Sequence, residues 1–317
     1  MARNIAVGVG IMDYPFDTAA GFWRWVDLCE QGGVDSLWQT DRLVSRTPFL
    51  ECMTALAAIA GRTSRIKVGV NVVSVAMREP LLLAKQCATI DMLSGGRLLP
   101  GFGIGSPRGA EWTAMHLDTS TRGRKTDEAL EIISRLWSGE VLDYAGRHFQ
   151  LTQASISPLP AQSTLPMWIG GSSGAAIWRT ARIGTGWQAG AETPDSVAAV
   201  MAGIKAALTE TGRTIEADHY GAAFGFRFGR PDDRGVAKLM EGYQARTGRD
   251  PRDHFAIGDA AAILLRLRAY VEAGASKFIL RPVAQGDADM LAQTKRLVAE
   301  VLPAVAARWP KPRKAAY

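Results

Sequence analysis

Eight short apolar runs, each followed by a stretch with helical periodicity, constrain this chain more than any other feature of its sequence. They lie at 5–9, 36–39, 67–71, 98–103, 167–169, 186–189, 221–228 and 277–280. Between them apolar side chains recur three and four positions apart. In 18–31, Phe22, Trp25, Val26 and Cys29 share one face and Gly32-Gly33 closes the helix. Helices are expected likewise at 51–61, 81–93, 124–138, 175–182, 195–211 and 260–273, with an extra one at 232–245. The helix at 81–93 begins just after Pro80 and stops at Ser94-Gly95-Gly96, as a proline start and a glycine stop require. Buried strands joined by helical crossovers pair in parallel, with helices outside the sheet. Eight such units closing on themselves make an α/β fold, a (β/α)8 TIM barrel, whose chemistry sits at the C-terminal strand ends. The rhythm breaks at 106–165, an insertion after strand 4. There the turn signals Ser138-Gly139 and Ala145-Gly146 mark a two-stranded excursion expected to cover part of the pocket. The expectation is one barrel domain over 1–307 followed by a basic flexible tail at 308–317.

Charge and cysteine content exclude several function classes. The net charge is +6, but Arg308, Lys311, Arg313 and Lys314 fall in the tail, and without those four the balance is +2. The basic balance therefore reflects solubility and a tail, and no nucleic-acid partner is expected. No apolar run approaches the roughly 20 residues that span a bilayer, and Met1–Gly10 lacks a signal-peptide pattern, so a cytoplasmic protein is expected. Cys29, Cys52 and Cys87 are odd in number and far apart, which predicts free thiols. His116, His148, His219 and His254 form no ligand pattern, so no metal is expected.

The segment from Pro166 to Gly190 reads strand, Gly170-Gly171-Ser172-Ser173 turn, helix, strand. A glycine turn opening a helix leaves backbone N–H groups unpaired at the positive end of the dipole, which suits a phosphate. The spacing is neither a Walker motif nor Gly-x-Gly-x-x-Gly. On these residues alone, a tight turn and a phosphate seat stand level.

Several motifs occur together in order. They are Gly33-Val34-Asp35-Ser36-Leu37-Trp38-Gln39-Thr40-Asp41, Arg65-Ile66-Lys67-Val68-Gly69, Ala88 to Arg97 with its Ser94-Gly95-Gly96-Arg97 end, Leu136-Trp137-Ser138-Gly139, Pro166 to Gly171, and Gly186-Trp187. The set resembles the bacterial luciferase-like superfamily. That resemblance implies a barrel binding reduced FMN or the 8-hydroxy-5-deazaflavin coenzyme F420, in enzymes that activate oxygen or exchange hydride, commonly as homodimers. The expected function is a flavin-dependent monooxygenase that receives reduced FMN from a separate reductase and acts on a small organic substrate. The alternatives are an F420-dependent hydride-transfer oxidoreductase and a flavin-binding protein without turnover. A basic groove for the acidic deazaflavin tail is not evident, which favours FMN.

The resemblance also assigns residues. Gly170, Gly171, Ser172 and Ser173 would grip the cofactor phosphate. Asn71-Val72 lies where the family often has a non-prolyl cis peptide against the ring, and sequence leaves cis or trans open. Gly103-Ile104-Gly105 would pass alongside the flavin, with glycines clearing its path. Asp41-Arg42 departs from the acid-His pair of many relatives. Arg42 stays protonated and cannot act as a general base. It would either stabilise an anionic substrate or the reduced ring, or pair with Asp41 at the rim. His116, in a loop able to fold over the mouth, is the one histidine with a catalytic reading. Met12, Tyr14, Trp38 and Trp187, with Phe16 and Val73, would line a mainly apolar substrate pocket, although the two tryptophans suit barrel packing equally. Glu111, Glu192 and Arg281 fall at the mouth, where isolated charges are commonly just solvated.

Overall fold

The computed structural model describes residues 4–310, so Lys311, Arg313 and Lys314 of the expected tail lie outside the described residues. The strands are β1 (Ala6–Gly10), β2 (Ser36–Gln39), β3 (Lys67–Ser74), β4 (Leu98–Gly103), β5 (Leu142–Ala145), β6 (Gln150–Ala154), β7 (Trp168–Gly170), β8 (Gly186–Gln188), β9 (Tyr220–Phe228), β10 (Phe255–Gly258) and β11 (Lys277–Pro282). The helices are α1 (Ala19–Gln31), α2 (Cys52–Arg62), α3 (Pro80–Leu93), α4 (Ala110–Ala114), α5 (Arg122–Trp137), α6 (Gly174–Ile183), α7 (Pro194–Thr211), α8 (Arg234–Thr247), α9 (Pro251–His254), α10 (Ala260–Glu272), α11 (Gly286–Arg296) and α12 (Leu302–Arg308). No helix among the described residues is long and apolar enough to cross a membrane.

Eight strands close a parallel barrel in the order β1-β2-β3-β4-β7-β8-β9-β11, with β11 returning to β1. The (β/α)8 expectation is met. No strand is expected between the helices at 232–245 and 260–273, but Phe255–Gly258 form β10. This ninth strand pairs Phe255–Gly258 with Gly225–Phe228, on the edge of β9 that β8 leaves free beyond Gly221.

Strand side chains alternate between barrel interior and helix layer. Outward residues such as Val9, Leu37, Val68, Val70, Phe224 and Phe278 belong to the main buried core. Inside the barrel, Trp38, Leu99, Ala223 and Ile279 form a separate buried cluster. Glycines make room for its large ring. A Cβ on Gly69 would stand 2.5 Å from Trp38 Cε3, and one on Gly8 would stand 2.9 Å from its Nε1. At the N-terminal end, the Lys277 ammonium meets Asp35, which also pairs with Lys67 at 3.4 Å.

The excursion divides in two. The segment through α4 stays at the C-terminal face, after β4. Helix α5 then descends, so the β5–β6 hairpin starts from the opposite end and climbs its flank. The His148 amide donates to Glu128 Oε2 at 2.8 Å, and Tyr144 Oη to Glu131 Oε2 at 3.5 Å. Gln162 Nε2 donates to Asp91 Oδ1 at 2.7 Å and to the Leu98 carbonyl at 3.0 Å, where β4 begins. Helix α5 thus separates the hairpin strands from the first part of the excursion, while the hairpin tip returns along it to Glu128 and Lys125, whose ammonium lies 5.5 Å from the Phe149 ring centroid. At the other boundary Arg308 ends α12 and lies 5.3 Å from the Trp309 ring centroid.

Candidate active site at the barrel mouth

The end of β3 shapes the lumen. The pairing of β3 with β4 shifts register between Val70 and Val73, and the Asn71-Val72 peptide is cis. Val72 is thereby turned towards β4 and β7. A Cβ on Gly103 would stand 2.6 Å from Val72 Cγ2, one on Gly170 2.9 Å from Val72 Cγ1, and one on Gly101 would overlap the Val70 carbonyl oxygen. The glycines expected to clear a path for the ring first clear room for the bulge. Asn71 Nδ2 is buried with no hydrogen-bond partner, an orphaned donor that points to a guest. Ile104 and Gly105 follow as the chain leaves β4, with Gly105 at φ 73°.

Asp41 and Arg42 do not pair with each other. Successive residues at a strand end project to opposite sides. Asp41, whose side chain is 2% exposed, accepts the Ser74 amide at 2.8 Å and Arg78 Nη2 at 2.6 Å. Arg78 also reaches Glu51 Oε1 at 3.1 Å. Arg42 turns outward, 42% exposed, with Nε 3.6 Å from Glu111 Oε1 and its guanidinium 5.9 Å from the Phe49 ring centroid. Glu111 also accepts the Leu43 amide at 3.3 Å and so fastens the loop after β2 to α4. Sequence reasoning missed Arg78, whose only local signal is its place beside the Glu79-Pro80 start of α3.

Asp41, Glu51 and Cys52 bring one donor atom each within 4.8 Å of one another. The Arg78 guanidinium bonds both carboxylates there, and burial, with Asp41 beside it, pushes the Cys52 thiol well up. This is an ion-pair knot that holds β2, β3 and α2 together.

The Gly170–Ser173 turn opens α6. Gly171 has φ 107°, and Ser173 caps the helix by accepting the Ala176 amide at 3.3 Å. Gly174 and Ala175 begin the helix, so their N–H groups precede its own carbonyl ladder. Trp187 Nε1 donates to the Gly171 carbonyl at 2.8 Å. Trp187 therefore supports the turn from the main core, and Trp38 plugs the barrel below the mouth. Neither offers a surface to a substrate. Tyr14 packs on Phe16 and Phe22 at 5.4 and 5.8 Å against α1, while Met12 is 55% exposed beyond β1. His116 follows α4, exposed, with φ 53°. Val73 is fully buried in the core, and Phe16 is buried beside Trp25.

A sequence profile of luciferase-like monooxygenases matches residues 5–251, from β1 to the start of α9. The chain belongs to the luciferase-like monooxygenase family. An uncharacterized Mycobacterium tuberculosis protein is 30% identical over 202 residues, 62% of this chain and 69% of its own. An F420-dependent glucose-6-phosphate dehydrogenase of Microbacterium testaceum is 30% identical over 173 residues, 50% of this chain and 49% of its own. The monooxygenase RslO1 of Streptomyces bottropensis superposes with a TM-score of 0.83 over 95% of this chain and 100% of that one, at 18% identity. The oxygenating component of 3,6-diketocamphane monooxygenase from Pseudomonas putida, in complex with FMN, gives 0.74 over 96% and 99%, at 16% identity. At such identities the two structures speak to the fold alone. Luciferase-like proteins are flavin- or F420-dependent oxidoreductases and monooxygenases, and this chain is an enzyme of that class.

Proposed function

We propose that this enzyme is a flavin-dependent monooxygenase, taking reduced FMN from a separate reductase and acting with O2 on a small organic substrate. The observation that carries the reading is the orphaned, buried Asn71 Nδ2 beside the Val72 bulge, with the Gly170–Ser173 turn, exposed from Gly171 on, on the neighbouring lumen wall. These residues fit a ring and a phosphate. The N–H groups of Gly174 and Ala175, with the Ser172 and Ser173 hydroxyls, would receive the phosphate, because small residues and a helix start let anionic oxygens approach. Asn71 would donate to a ring acceptor, and Val72 would press an apolar, water-excluding surface on it. Bound reduced FMN would supply the electrons that activate O2. The chain offers neither Arg42, paired with Glu111, nor Asp41, committed to Arg78, as a general base. Its part is to bind, orient and keep water out.

The kinship with an F420-dependent dehydrogenase favours a second reading, hydride transfer with the deazaflavin. Anaerobic titration with reduced FMN and with reduced F420, followed by oxygen-uptake measurements, tests both. Tight FMN binding with rapid oxygen consumption is expected. F420 bound in preference to FMN, without oxygen uptake, favours the dehydrogenase, and binding without any turnover favours a flavin carrier. A homodimer in the cytoplasm belongs to the same proposal, and sedimentation analysis of the purified chain tests the dimer.

A further inference from the structure

On β11 the interior positions are Lys277, Ile279 and Arg281. Lys277 meets Asp35 at the barrel base, and Ile279 packs with Trp38 inside the barrel. Two residues further, Arg281 has the same facing and lies at the mouth end of the lumen. Its register partner in β9 is Gly225, which offers it no side chain. A Cβ there would overlap Phe255, so the β10 ring closes the space on that side. Among the described residues the Arg281 guanidinium makes no hydrogen bond and no ion pair.

Several carboxylates at the C-terminal strand ends are engaged elsewhere. Asp41 binds Arg78, Glu111 binds Arg42, and Asp289 binds Arg227 at 2.7 Å. Glu192 accepts the Gly190 amide at 2.6 Å. Burial alone lowers the Arg281 guanidinium to about 10, with no charged neighbour acting on it. Lower in the same lumen, Gln188 Oε1 is also buried without a partner. A partly buried cation without a counter-ion is costly to the fold, and proteins normally pair such groups. A guest anion would complete this one. The Gly170–Ser173 turn, on β7, lies three strands around the barrel from β11, so a phosphate held there would not be that anion.

We propose that Arg281 makes this site specific for substrates that carry a carboxylate, which the planar guanidinium would grip through paired hydrogen bonds. The inference rests on the reading of the barrel mouth as a flavin or deazaflavin site. The competing source of negative charge is the reduced cofactor ring itself, and the experiment separates the two.

Wild type, Arg281→Met and Arg281→Lys would be compared in two measurements. The first is affinity for FMN and F420. The second is binding of butyrate, hexanoate and benzoate, each against its own neutral amide. It is read by tryptophan fluorescence without cofactor and by flavin absorbance with it, after circular dichroism has confirmed equal folding. In wild type at least one carboxylate should bind about tenfold or more tightly than its amide, as a charge-assisted hydrogen bond to a partly buried group implies. Arg281→Met should erase that preference, Arg281→Lys should keep part of it, and cofactor affinity should stay the same in all three. No carboxylate preference in any pair, or a preference that survives Arg281→Met, overturns the proposal. A matching fall in FMN affinity also overturns it, by assigning Arg281 to the cofactor. Wild type that binds neither FMN nor F420 defeats the functional reading instead, and the cofactor-free fluorescence still decides the carboxylate question.

Discussion

Asp41 and Arg42 are adjacent in sequence, yet their energetic roles differ because burial differs. Arg42 and Glu111 form a partly exposed pair at 3.6 Å, a type worth about 0–1 kcal/mol, so Arg42→Ala should shift the urea midpoint little. Asp41→Asn leaves the Arg78 guanidinium without its nearest buried partner, and breaking such a pair costs about 3–5 kcal/mol. The lower end is expected, since Glu51 remains 3.1 Å from Arg78. Equal urea midpoints for the two variants would show that the knot is not structural. The proposed phosphate seat calls for a substitution free of backbone strain. Gly171, at φ 107°, is a poor place for it, because a side chain there is strained and its Cβ would stand 3.2 Å from the Ala176 Cβ. Ser172 is exposed and outside the left-handed region. Ser172→Asp should weaken FMN binding about tenfold or more by placing like charges a few ångströms apart. Riboflavin, which lacks the phosphate, should bind the variant as it binds wild type. A parallel loss for both ligands would place the phosphate elsewhere.

At the scale of elements, β3 and β4 form one interlocked unit. Gly103 faces Val72 at a distance a methyl group cannot share, 2.6 Å, and the obstacle is a side chain. Gly101 faces the Val70 carbonyl oxygen, which is backbone. Gly103→Ala should therefore cost about 1–3 kcal/mol as an overpacked site and recover most of that in a Val72→Ala background. Gly101→Ala should show no such recovery. A double-mutant cycle on unfolding free energy checks both, and additive effects for Gly103 and Val72 would contradict the contact. This coupling was only half legible in the sequence. Asn71-Val72 and Gly103 were each singled out by family resemblance, but the register shift that sets one against the other arises only when the strands pair. Strand β10 escaped for a related reason. Four residues after a short helix carry too little periodicity to register, and their partner is the overhanging end of β9.

At the scale of the molecule, the barrel was readable because its signal is local and repeated. Each strand-helix unit announces itself through apolar spacing, proline starts and glycine stops, and eight of them leave few ways to close. What closure brings together was not readable. Asp35 and Lys277 are 242 positions apart and meet only because β11 lies against β1. The same closure decides that Arg78 answers Asp41 and that no group among the described residues answers Arg281. The base pair gives the barrel a specific pH response. Burial pushes the Asp35 carboxyl up, but Lys277 and Lys67 outweigh it and hold the group well below the ordinary carboxylate value. A carboxyl whose folded pKa is depressed stabilises the fold fully above its unfolded pKa, near 4, and loses that contribution as pH falls towards the folded value. Asp35→Asn removes the contribution and leaves a buried ammonium unpaired, so at about pH 7 it should cost about 3–5 kcal/mol. At about pH 2.5 wild type has itself surrendered part of the advantage, so the gap between the two proteins should narrow. Urea unfolding of both at the two pH values measures the gap directly. A gap that stays constant or widens in acid would mean that Asp35 supports the barrel through shape and hydrogen bonding, with its charge contributing nothing to closure.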